Sequence, residues 1–356
     1  MGEHYERAEH GRRDAGSRVT EVDALDGGLV QVPHGPSLRY RVWRTVRTRI
    51  LTPRTIISAV LGFGLLAAVL ALGDPAEAWR LIVRTGWRTM VPVILLTVPY
   101  LSIRFFVWRS LLADVDVTLY WRPILTAFAA GEFSKSLPGG IYVEDYLLKR
   151  CCDVPISTSV ISTTAISALE IFTAVPVVLI LGIPGWEPAL RLTLAGILAV
   201  YGIAAGVVWW LANPNGEKAR VGGTGLIGGV IEGVRSFLVT ARPLIRWVTL
   251  RNLPPIALSL AIVAFDIMLL GRSSGIHGLS FLDALVVYSF ITLTLTLTPV
   301  PTDLGTTEAG GAGALLAFGA TAPEAVATLL LLRILLTGST MVITGITMLA
   351  LARRWV

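Results

Sequence analysis

Charge is the first thing this chain lacks. Only 15% of its 356 residues are Asp, Glu, Lys or Arg, where a soluble domain of this size carries about 25%. The shortage is uneven, because residues 1–54 alone hold 10 arginines and 7 acids. With 54% hydrophobic residues and a mean hydropathy of +0.70, the composition excludes an ordinary soluble enzyme and fits a polytopic membrane protein. Cysteine is nearly absent. Cys151 and Cys152 are adjacent, a spacing that strains a disulfide, and the four histidines are scattered, so no zinc pattern forms. No P-loop, Rossmann, nucleophile-elbow or HExxH pattern occurs, which leaves no basis for a hydrolase or a nucleotide-driven pump. No cofactor and no metal are expected. The first 50 residues lack an apolar run, so no cleaved leader is expected either. The net charge of +6 comes from arginines that flank apolar segments. It indicates a membrane surface as partner and no nucleic acid.

Along the chain, residues 1–36 are polar and Gly-rich and read as a disordered tail. In 37–54, Leu38, Val42, Val46 and Ile50 recur every four residues among Arg39, Arg41, Arg44, Arg47 and Arg49. That pattern suits a basic amphipathic helix on an anionic membrane surface, reaching from Arg39 to Arg54. The same arginines serve equally as the positive-inside flank of the first span.

A span needs about 20 apolar residues. Six stretches qualify: 55–72, 89–112, 156–181, 190–211, 254–272 and 325–350. Two more apolar stretches are broken in the middle, 123–150 at Ser136–Gly140 and 281–320 at Thr298–Glu308. Pro and Gly at that density interrupt a helix, and irregular backbone survives in a membrane only when protein or a wet cavity surrounds it. Both stretches therefore read as re-entrant or broken hairpins. With both returning to the side they enter and the N-terminus inside, 21 Lys and Arg fall on the inner side against about 4 outside. This places both termini in the cytoplasm, with 351–356 as the cytoplasmic end. The expected fold is thus an all-α polytopic membrane protein with about six full spans and two broken hairpins. Its two membrane repeats, 55–181 and 190–350, enter from opposite sides, an inverted repeat whose site lies where the hairpins meet.

Ionisable residues inside such a chain are candidates for function because burying them in lipid is costly. The first hairpin supplies Glu132, Lys135, Glu144, Asp145, Lys149 and Arg150. The second supplies Asp303 and Glu308, and the spans supply Arg104, Glu170, Asp266 and Arg333. Each has a structural alternative. Lys149 and Arg150 can snorkel to the surface, Arg104 and Asp266 can pair with each other, and Glu308 can offset the dipole of a helix that starts near Thr306. The breaks themselves, at Pro138, Gly139, Gly140, Pro301 and Gly305, free backbone amides that attract anions. Asp114-Val-Asp116 opens a rival chemistry, a metal-dependent transfer to a lipid-linked sugar. It lies on a short loop without a domain to bind a nucleotide. A third reading is a non-catalytic membrane partner of a glycosyltransferase or synthase, acting through the loop 212–253.

The stretch from Gly131 to Arg150, with Pro138-Gly-Gly140 followed by acids and a basic Leu-rich run, resembles the first signature of the lysylphosphatidylglycerol synthase transmembrane-region family. Thr298 to Glu308 resembles its second signature, a Pro-x-Pro turn running into a glutamate. Ala168-Leu-Glu170 and Leu331-Leu-Arg333 are similar to its glutamate and arginine motifs. The resemblance covers about residues 50–350. Two departures stand out: Thr302 and Asp303 replace paired glycines, and Ile171 follows Glu170 where members often have Arg. The resemblance implies a flippase moving a polar-headed lipid (anionic, aminoacylated or glycosylated) across the cytoplasmic membrane, with a synthase as a possible partner.

Overall fold

The computed structural model describes residues 53–135, 140, 143–182, 248–297 and 305–352, with a few helical residues between 195 and 203. The described residues contain helices and turns, with no strand. Helix α1 runs Pro53–Leu72. A short helix α2, Pro75–Arg84, starts two residues later because Asp74 caps it, its carboxylate accepting from the Ala76 amide at 3.1 Å, with Pro75 at the first position. The signal Asp-Pro-x-Glu was present in the sequence, although α2 was not among the expected elements.

Helix α3, Trp87–Asp114, buries Val93, Thr97, Leu101, Trp108 and Leu112, a stripe of four-residue spacing, and exposes Leu95, Val98 and Phe106. It carries Pro92 and Pro99 in its interior, proline being more frequent in membrane helices than in soluble ones. The first hairpin consists of α4, Trp121–Ser134, and α5, Val143–Cys152. Helix α6, Ile156–Val177, continues through a π turn, Val178–Gly182. Helix α7, Val248–Ser273, turns into α8, Phe281–Leu297, where Arg272 donates to the Leu279 carbonyl at 2.9 Å. Helix α9 is Thr306–Ala317. Helix α10, Ala322–Leu332, passes through a second π turn, Arg333–Thr337, into α11, Gly338–Ala352.

Four helical stretches are long and apolar enough to cross a membrane, Trp87–Asp114, Thr158–Leu181, Arg251–Ser273 and Ala322–Leu351. They coincide with four of the expected spans. Shorter apolar helices lie at Gly62–Ala71 and Phe281–Leu295. This is a multi-pass membrane protein. The tail, residues 37–52 of the expected basic helix 37–54, nearly all of the expected span 190–211 and residues 212–247 of the loop 212–253 lie outside the described residues.

Among the described residues α4 ends at Ser134 and α8 at Leu297, next to the Pro- and Gly-rich stretches of the sequence. At the first break the Ser134 hydroxyl lies 2.6 Å from the Ala130 carbonyl and 3.1 Å from that of Gly140. A Cβ on Gly140 would stand 1.6 Å from the Ser134 carbonyl oxygen, so only glycine fits. At the second, Gly305 takes φ +81° and packs against α1, where a Cβ would meet the Gly62 carbonyl oxygen at 2.4 Å. Glycine is the residue without a penalty in that conformation. Pro138, Gly139, Pro301 and Asp303 lie outside the described residues. In the core α3 packs on α7, α4 on both α5 and α11, and α8 on α6, α7 and α9.

Candidate functional site

Helices α3 to α6 and α8 to α11 surround a cavity of about 380 Å³. Its wall is mixed. Ile166, Ile291, Leu295, Leu329 and Leu336 supply apolar surface, and hydroxyls come from Tyr100, Thr163, Tyr288 and Thr340, among others. Six charged side chains reach it: Arg104, Glu132, Lys135, Glu144, Glu170 and Arg333.

These charges are arranged in two groups. In the first, Arg104 on α3 donates from Nη1 to Glu170 on α6, and its Nε lies 3.4 Å from Glu132 Oε1 on α4. Lys135, one turn beyond Glu132, reaches the same oxygen at 2.5 Å. The Arg104 guanidinium also sits 5.5 Å from the Tyr100 ring centroid, a cation–π contact one helical turn away. In the second group Arg333, at the start of the π turn, donates to Glu308 Oε1, and Glu308 Oε2 accepts from the Gly305 amide at 2.8 Å. Glu308 therefore closes the helix start and anchors Arg333 in one move.

All three cations of the wall are thus held by carboxylates. Glu144 differs. Its Oε1 accepts from the Thr163 hydroxyl at 2.8 Å, and among the described residues no cation pairs with it. Gly131 on α4 makes room for it, since a Cβ there would stand 2.3 Å from Glu144 Oε2. A carboxylate in a partly apolar cavity with a single hydroxyl donor favours an incoming cation.

Of the residues singled out in the sequence, Glu132, Lys135, Glu144, Glu170 and Arg333 meet at the cavity, and Glu308 joins through Arg333. Gly140 and Gly305 shape the hairpin breaks. Asp145 is buried beside Glu144 but does not line the cavity. Lys149 and Arg150 are exposed at the end of α5. Arg104 does not pair with Asp266, which is fully buried in α7 with neither carboxylate oxygen hydrogen-bonded. Asp114 binds Arg251 at 3.1 Å, a link between α3 and α7 that Ser110 shares. No group of three His, Cys, Asp or Glu able to hold a metal occurs among the described residues. Tyr100, Tyr288 and Thr163 were missed by the sequence reading. The spacing of Tyr100 and Arg104, and of Thr163, Ser167 and Glu170, puts each set on one helix face, a polar stripe in an apolar span that was the available signal.

The family model for the lysylphosphatidylglycerol synthase TM region matches residues 56–344, from α1 to α11. No curated protein and no solved structure matches the chain.

Proposed function

Since the chain belongs to the lysylphosphatidylglycerol synthase transmembrane-region family, we propose that it is a lipid flippase whose cavity takes up the polar head of a membrane lipid, the preferred head bearing a positively charged substituent such as an aminoacyl group. The observation that carries this reading is the charge arrangement of the wall. Arg104, Lys135 and Arg333 are already neutralised, and Glu144 is left to meet an ammonium. A phosphate has to compete with carboxylates for those cations, or use the hydroxyls of Thr163, Tyr288 and Thr340. The volume suits a head group, and the acyl chains stay in the bilayer.

The helix contacts support an inverted repeat around this cavity. Exchanging the halves maps α3 on α7, α4 on α8, α5 on α9 and α6 on α10–α11. Under that exchange the pairing of α4 with α11 becomes that of α8 with α6, and the pairing of α5 with α6 becomes that of α9 with α10. Alternating access by rocking two such halves about a fixed site is the common use of this architecture. Six crossings, with both termini on the cytoplasmic side of the cell membrane, complete the proposal.

The test is transport in vesicles that contain the full chain and fluorescent lysyl-phosphatidylglycerol, with quenching from outside to read each leaflet. Faster exchange than in empty vesicles, lost in Arg333→Ala, supports the reading. Exchange no faster than in empty vesicles, with no lipid copurifying, overturns it in favour of a non-transporting partner of another enzyme.

A further inference from the structure

Helix α5 opens on two adjacent acids, Glu144 and Asp145, 3% and 1% exposed. Asp145 is the third residue of α5, as Glu308 is of α9. An acid at that point has an ordinary structural role. It offsets the helix dipole and reaches back to a free amide at the helix start. Glu308 does so through the Gly305 amide, and Arg333 holds its other oxygen. Asp145 does neither, because both its oxygens are buried without a hydrogen-bond partner. The ordinary role accounts for Glu308 and fails for Asp145.

The surroundings of Asp145 indicate what is missing. Helix α5 packs on α4 and α6. From α4 come Glu132 and Lys135, bonded to each other. From α6, Ser159 and Thr163 lie near the Asp145 carboxyl, and no hydrogen bond reaches either of its oxygens. On α5 itself the charged neighbours are Glu144 and, at the far exposed end, Lys149 and Arg150. A hydroxyl has one hydrogen to give. That of Ser159 goes to the Ile156 carbonyl at 3.2 Å, and that of Thr163 goes to Glu144 at 2.8 Å. With those hydrogens committed elsewhere, neither hydroxyl bonds to Asp145. An ionised carboxylate there would have neither a donor nor a paired cation. A carboxylic acid supplies the missing donor and removes the charge. Asp145 is buried and does not line the cavity, and a proton needs no volume.

We propose that Asp145 is a proton-binding site linked to the cavity through Glu144 and Thr163. In the transfer one proton passes from the Asp145 carboxyl to the Glu144 carboxylate, leaving Asp145 ionised and Glu144 neutral, and no other group changes charge. Glu144 lines the cavity, so its proton exchanges with whatever fills it. An ammonium bound to Glu144 competes with that proton, which makes exchange of a cationic lipid head for a proton the working cycle. Asp266 also lacks partners, but none of its helical neighbours lines the cavity, so its proton is locked in place.

The linkage to lipid rests on the reading of the cavity given above; the proton site does not. The experiment is infrared difference spectroscopy of the full chain in phosphatidylglycerol vesicles, following the carbonyl band of protonated carboxyls from roughly pH 5 to pH 8, a range in which unperturbed carboxylates are already ionised. A band that titrates in the wild type, loses one component in Asp145→Asn and moves in Asp145→Glu, with Asp266→Asn retaining that component, is the expected result. Added fluorescent lysyl-phosphatidylglycerol should shift the midpoint by about one pH unit, a tenfold change in proton affinity. A titrating band identical in wild type and Asp145→Asn overturns the proposal. Should that variant fail to fold, absence of any titrating band in the wild type overturns it equally. A band that behaves as expected but ignores the lipid leaves the proton site standing and removes the flippase reading.

Discussion

Arg333 and Glu308 form an ion pair between the first residue of a π turn and the first turn of α9, with α10 between them in the chain. The Glu308 side chain is 2% exposed, so Arg333→Ala strands a charge in a low-dielectric wall. A loss of about 3–5 kcal/mol is expected, as for a broken buried pair. Thermal unfolding in detergent would measure it. The double variant Arg333→Met with Glu308→Gln should recover a large part, and a strictly additive double variant would show that the pair is not coupled.

Glu144→Gln keeps the hydrogen bond from Thr163 and removes the unmatched charge. Binding of lysyl-phosphatidylglycerol should fall roughly 10- to 100-fold, the scale of one charge-assisted bond, while binding of phosphatidylglycerol itself stays level or improves. Native mass spectrometry of lipid-loaded protein separates the two. An equal drop for both lipids argues against head-group recognition by Glu144.

Arg104 holds Glu170 and lies against Glu132. Arg104→Lys keeps the charge but cannot fork towards both carboxylates. Transport should drop at least about tenfold, equivalent to ~1.4 kcal/mol, with the protein still folded by circular dichroism. Wild-type rates in the lysine variant would assign Arg104 a purely electrostatic role.

Asp114→Ala tests the sugar-transfer reading. Its pair with Arg251, whose side chain is 62% exposed, contributes no more than about 1 kcal/mol, so lipid exchange should remain near wild type. Loss of activity with the fold intact would restore a chemical role for the Asp114–Asp116 tripeptide.

Gly305→Ala places a Cβ near the Gly62 carbonyl in a left-handed backbone conformation. It should destabilise by more than the roughly 1–2 kcal/mol of the conformation alone. Gly64→Ala, which meets nothing within 4 Å, is the matched control and should leave the melting temperature unchanged. Equal melting temperatures for the two variants would show that α1 yields to the larger residue.

Pro and Gly act locally, and among the described residues α4 ends at Ser134 and α8 at Leu297, next to the stretches where those residues cluster in the sequence. Four of the six expected spans, which coincide with long apolar helices, were legible from length and composition. The wiring of the charges was not. Arg104 and Glu170 are separated by 66 positions, and nothing in either segment names its partner. Asp266, equally suited on paper to pair with Arg104, points elsewhere on α7. Arg150 and Asp145 sit close to Glu144 in sequence, yet only Glu144 reaches the cavity, since a 3.6-residue period turns its neighbours away. Helix α2 escaped attention because a hydrophobicity search for spans passes over ten amphipathic residues.

Helix α3 also serves as a depth gauge. At 1.5 Å per residue its 28 residues extend about 42 Å, close to a bilayer with its head-group layers. An aromatic–arginine couple marks each end, Trp87 with Arg88 and, just beyond the C-terminus, Trp121 with Arg122. Tyr100 and Arg104 stand halfway along this gauge. A head group in contact with them has about 20 Å of membrane on either side, the same distance to leave by whichever leaflet it entered. If the cavity carries lipid heads as proposed, the depth of this contact does not by itself favour one leaflet.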